Sequence, residues 1–185
     1  TVLGTETSTV TGASVTLAAA TGITGLALAT DEVTATTTVG NIGLSIDPTA
    51  GTTSVTLHDA TSGAGNVTVT TNESLTVKHA SAGGSSGALV LTASGDLLIA
   101  DGAGSGVRGG YSLALDAGGT LLIEGTADAA NTVTFTSSNA FILPTSASYQ
   151  ALNMVIDSDT NVVIDETVTM GGSSFEVRSG GNITI

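Results

Sequence analysis

Apolar residues recur on alternate positions in short runs along the chain: Val67/Val69, Leu89/Leu91, Leu113/Leu115, Val133/Phe135, Met154/Ile156 and Phe175/Val177. Such alternation predicts β-strands with one apolar and one polar face, because successive side chains of an extended backbone point to opposite sides. Successive pairs begin 22, 24, 20, 21 and 21 residues apart. Each is followed eight residues later by a second pair: Leu75/Val77, Leu97/Ile99, Leu121/Ile123, Phe141/Leu143, Val162/Ile164 and Ile183/Ile185. The sequence therefore repeats with a period of about 22 residues. A fixed period of this length marks stacked supersecondary units, which bury their apolar faces against one another.

Between the two pairs of each repeat lie short polar or glycine-bearing bridges, such as Thr70 to Glu73, Asp116 to Gly119 and Asp157 to Thr160. Their residues supply turn geometry and side-chain bonds to the backbone. One repeat thus reads as strand, tight turn, strand and a more variable loop, the loops including Ser81 to Gly87 and Gly102 to Gly110. The predicted fold is all-β, a parallel β-solenoid (β-helix) with coils of about 22 residues. An antiparallel β-sandwich is the alternative, since it too uses short alternating strands, but its hairpins do not keep a constant eight-residue offset.

The N-terminal third is less regular. Ile42 to Ile46 with Ser54 to Leu57, and Val15/Leu17 with Leu26/Leu28, read as preceding coils. Residues 1–12 read as an N-terminal arm or edge strand, and 13–185 as solenoid with regular coils from about residue 66. The Thr-rich stretch from Asp31 to Thr38 reads as a loop, with a strand over 33–39 as the alternative. Thr and Gly disfavour helix throughout.

Composition narrows the function classes. The length of 185 residues suits one domain. Only 3 Lys+Arg stand against 16 Asp+Glu, a net charge of −13, which opposes nucleic acid and anionic membrane as direct partners. Hydrophobic residues make up 41% of the chain, too many for a disordered segment. No Cys is present, so disulfides and thiolate chemistry are excluded. With 3 Phe, 2 Tyr and no Trp, the core is aliphatic and the surface poor in the aromatic platforms usual in sugar or base binding. No apolar run is long enough to span a bilayer, and Thr1 without a preceding Met fits a processed or excised chain.

Candidate chemistry is sparse. Asp157, Asp159, Asn161 and Asp165, with Glu166 beside them, place oxygen ligands at alternate positions, as at the start of a calcium loop. Val162 and Val168 occupy places where such a loop requires Gly and Glu, so calcium is a weak expectation and a solvated turn the plainer one; no other cofactor is suggested. Asp116 and Asp157 are expected two coils apart, as are Glu124 and Asp165, about 9.6 Å in each case. That is the outer limit of an inverting glycosidase pair, and no Lys or Arg lies in the intermediate coil. His58 and His79 are expected one coil apart on the same side, two imidazoles without a third ligand. Asn66, Asn72 and Asn182 fit the N-glycosylation acceptor pattern. Outward Thr-x-Thr pairs hint at an ice-binding ladder, but Val90/Thr92 and Ala114/Asp116 break the array.

Coils such as Gly87 to Ile99 and Ser112 to Ile123 resemble the repeats of filamentous-haemagglutinin-type bacterial surface adhesins, a likeness covering roughly residues 40–185. The resemblance implies an exported, right-handed parallel β-helix serving as a stalk that attaches cells to surfaces. The final unit, Phe175 to Ile185, is a complete strand-bridge-strand, expected either to continue into a longer rod or to be occupied by another copy. The functional expectation is a structural or adhesive module of an extracellular bacterial surface protein, without chemistry. Its partners would be remaining coils of the chain or neighbouring copies, and surface glycans or proteins. A self-assembling subunit of an extracellular filament or surface layer, joined through an N-terminal strand, is the first alternative; a carbohydrate-active β-helix enzyme is the second.

Overall fold

The computed structural model describes residues 2–3, 9–48, 50–102, 104–144, 147–165 and 174–185. Among them there is no helix, and the strand pairings are parallel throughout. Sandwich hairpins are therefore absent from these residues, and the fold is a parallel β-solenoid.

The coils that begin at Val67, Ala88, Ser112 and Thr132 have three faces rather than the two strands expected. The first face stacks Ile23–Ala29, Ile42–Ile46, Val67–Thr71, Ala88–Ala93, Ser112–Ala117, Thr132–Ser137, Asn153–Ser158 and Ser174–Ser179. The second carries Ser74–Val77, Leu97–Ile99, Leu121–Ile123, Phe141–Leu143, Val162–Ile164 and Ile183–Thr184. The third consists of His79–Ala82, Gly106–Gly109, Thr126–Ala129 and Ser148–Gln150. Ser54–Ser62 runs unbroken across the second and third faces, pairing with Ser74–Val77 through its first half and His79–Ala82 through its second. The stretches expected as loops, Ser81 to Gly87 and Gly102 to Gly110, thus contain third-face strand. Those strands are built on Ala80, Ala82, Gly109, Ala127 and Ala129, whose small side chains carry almost no alternating hydropathy signal.

Asp31 to Thr38, expected as a loop, contains the strand Glu32–Thr37, held between Ser14–Ala19 and Ser54–Ser62. Val33, Ala35 and Thr37 face inward, so Ala and Thr occupy the places where Leu or Ile would have revealed the alternation. At the N-terminal side, Val2–Leu3 and Thr9–Thr11 both pair with Ile23–Ala29.

The register expected from the sequence holds on the first face. Thr68, Val90, Ala114 and Thr134 align outward, as do Thr70, Thr92, Asp116, Thr136 and Asp157. Equivalent residues Leu28, Ile46, Thr71, Ala93, Ala117, Ser137, Ser158 and Ser179 recur 18 to 25 residues apart. Eight first-face strands span roughly 34 Å at ordinary inter-strand spacing. Inside run continuous aliphatic columns, for example Ile42, Val67, Leu89, Leu113, Val133 and Met154, all buried. The rings of Phe135 and Phe141 stack across the first turn at 5.4 Å.

The turns stitch coil to coil. The Asn66 side-chain oxygen accepts the Ala88 N–H at 2.9 Å, and Asp96 Oδ1 accepts the Thr120 N–H at 2.7 Å. The buried hydroxyl of Ser158 donates to the Asn139 carbonyl and meets Ser137 Oγ. At the turn from third to first face, a Cβ on Gly63, Gly83 or Gly110 would collide with a backbone carbonyl of the preceding coil, which fixes glycine there.

Candidate functional site

The acidic turn at residues 157–165 is the cluster that the sequence singles out. Asp157 projects from the first face beside Arg178 of the next coil, 3.6 Å from its Nη1, while Arg178 Nη2 lies 2.8 Å from Glu176 Oε1. The Glu176 hydrogen bond, then its charge, then Asp157, hold the Arg178 guanidinium above its ordinary pKa. Asp159 and Asn161 sit in the turn between first and second faces, and Asn161 Oδ1 accepts the Asn182 N–H at 3.0 Å. Asp165 follows the whole strand Val162–Ile164, about 13 Å of extended backbone from Asn161. The structure gathers Asp157 with Arg178 and leaves Asp165 at the other end of the second face. Glu166 and Val168 lie outside the described residues. No group of three or more His, Cys, Asp or Glu close enough to hold a metal occurs among the described residues.

Asp116 and Asp157 stack two coils apart with Thr136 between them, the relation the repeat predicts. Both occupy outward positions of the same face, separated by the Thr136 position. The histidines are one coil apart but offset by a residue: His79 aligns with Asp59, while His58 is the extra residue of a bulge between Leu57 and Asp59. Each has taken a carboxylate. His79 Nδ1 lies 2.9 Å from Asp59 Oδ1, which also accepts the Thr61 hydroxyl at 2.6 Å, and His58 Nε2 lies 3.5 Å from Glu32 Oε2.

Two surface features escape sequence reasoning. On the second face the outward column reads Thr76, Leu98, Leu122, Ile142, Val163 and Thr184, four consecutive coils of half-buried aliphatic side chains without a charge. The repeated pairs disclose inward positions, and the residue between the pair is the outward one; its hydropathy was the available signal.

On the third face the outward column is Thr61, Ser81, Arg108, Asp128 and Gln150. Arg108, Asp128 and Gln150 of this column line, with Leu152, a recess of about 330 Å³. A second recess, lined by Ser81, Gly84 and Ser85, shares Arg108. Asp128 Oδ1 is buried and has no hydrogen-bond partner. Loss of water raises the Asp128 pKa above the ordinary carboxylate value, against the opposing pull of the Gln150 N–H and the Arg108 charge. Among the described residues Arg108 makes no ion pair within 4.0 Å. Beside the recess, at the turn to the first face, Tyr111 and Leu152 are 50% and 44% exposed in one column with Asn131.

Comparison of the chain with protein-family models, curated proteins and solved structures finds no match.

Proposed function

We propose that the chain is a structural and adhesive module of an extracellular bacterial surface rod of the filamentous-haemagglutinin type, and that it works without chemistry. The observation that carries this reading is the coil-on-coil register of the first face, which runs without a shift from Leu26 to Ser179. Stability of such a stack comes from neighbouring coils, so the ladder and aliphatic columns form a stiff shaft and the outward residues are left to set contacts. The acidic surface, at a net charge of −13, keeps shafts apart from one another in solution. Its partners are further coils or copies of the same kind, and surface glycans or proteins, at the cell surface.

The test is retention of beads coated with the purified chain on epithelial and abiotic surfaces under flow. Retention above albumin-coated beads is expected. Beads that wash off like the control, together with turnover of a polysaccharide by the free chain, contradict the reading and favour a β-helix enzyme.

The aliphatic column Leu98, Leu122, Ile142 and Val163 favours a second reading, a self-assembling subunit of an extracellular filament or surface layer. Sedimentation of the chain and of Leu122→Lys separates the two. Concentration-dependent assembly abolished by the substitution supports a subunit, and a monomer at all concentrations opposes it.

A further inference from the structure

We infer that the third-face column Ser81, Arg108, Asp128 and Gln150 is a binding site for a neutral oligosaccharide lying along the solenoid axis. The inference deepens the adhesive reading and rests on it for its biological use. The column's four positions are in register, so they repeat at about 4.8 Å and span about 14 Å. Their hydrogen-bonding capacities differ in a fixed order. Arg108 offers donors alone, ionised Asp128 acceptors alone, and Gln150 and Ser81 both. A ligand serving all four along one line needs groups that accept at one step and donate at the next, which is the property of successive sugar hydroxyls.

Two groups of the site keep hydrogen-bonding capacity unused, although the Gln150 N–H and the Arg108 charge already act on the Asp128 carboxylate. Asp128 Oδ1 is buried without a hydrogen bond, a state that costs free energy unless something donates to it. Arg108, one coil away in register, makes no ion pair within 4.0 Å among the described residues. A hydroxyl placed between them would donate to Asp128 and accept from Arg108. The recess that would admit it is lined, besides the polar groups, by the small residues Ala129, Ala130 and Ala151. Leu152 and Tyr111, exposed along the neighbouring turn, offer apolar surface to the C–H face of a sugar ring. Acidic sugars are disfavoured by Asp128 itself and by the net charge of −13.

The experiment titrates the 185-residue chain with cellotetraose, chitotetraose and mannotetraose, and with tetragalacturonate as the acidic counterpart, by calorimetry and by amide NMR shifts. At least one neutral tetramer is expected to bind with a Kd below about 1 mM. The shifted amides should cluster at Arg108, Asp128, Gln150 and Leu152. Arg108→Ala and Asp128→Ala should each weaken binding at least tenfold, and Ser45→Ala, on the first face, should leave it unchanged. The NMR map of the unaltered chain decides the matter if a variant fails to fold. No saturable binding by any neutral tetramer, shifts clustered elsewhere, binding indifferent to both substitutions, or preference for tetragalacturonate would each overturn the site. Beads that adhere while no neutral sugar binds refute this site and leave the adhesive module standing; failure of both refutes both.

Discussion

Single residues in this protein matter according to how many coils they touch. Phe135 is fully buried and stacks on Phe141, so it fills the first turn of its own coil and abuts Leu115 and Ile156 in the coils on either side. Phe135→Ala is expected to cost about 3–5 kcal/mol of stability, the usual toll for a large aromatic in a core that cannot close the cavity. Denaturant unfolding measures it, and a loss below about 1 kcal/mol would mean that the coil repacks freely. Asp128 behaves in the opposite sense. Its raised pKa means that the folded chain binds that proton more tightly than the unfolded chain. Folding therefore carries no penalty below the unfolded carboxylate range, an increasing one as pH rises to the folded value, and the full one above it. Asp128→Asn should melt above the parent at about pH 7, with the advantage fading toward about pH 3. An advantage independent of pH contradicts the desolvation account.

At the scale of the strand and turn, side-chain oxygens in the bridges replace part of the ladder. Asp96 accepts the Thr120 N–H, and its own N–H donates to Ser74 Oγ at 3.0 Å, so one residue binds the coils before and after it. Asp96→Ala should destabilise by about 1 kcal/mol and Asp96→Asn by much less, since the amide oxygen still accepts; thermal unfolding of the two variants checks this. Equal losses from both would show that charge, not the hydrogen bond, is at work. The sequence disclosed the first two faces because Val, Leu, Ile and Phe alternate there, and it placed Thr68, Val90, Ala114 and Thr134 in one outward row correctly. It hid the third face, where Ala80, Ala82, Gly109 and Ala127 pack closely without an apolar signature. The Arg108 column was hidden with it, because residues 108, 128 and 150 share no motif and are joined only by the register of strands read as loop. The aspartates of the 157–165 turn were visible by spacing alone, and spacing does not report that a strand separates Asn161 from Asp165.

For the whole molecule, one relation governs the rest: from Ile42 onward successive coils lie one on another in fixed register, so that distance along the axis grows by one strand spacing per coil. Shaft, outward contacts and axial binding column all follow from it. Spin labels in the outward column of the first face test it directly. Ser45, Thr70, Thr92, Asp116, Thr136, Asp157 and Arg178 occupy consecutive positions in that column. Pulsed dipolar spectroscopy should give about 19 Å between labels at Ser45 and Thr136, four spacings apart, and about 29 Å between Ser45 and Arg178, six spacings apart. A Ser45 to Arg178 distance equal to or shorter than that from Ser45 to Thr136 would contradict the stacked solenoid and every inference built on it.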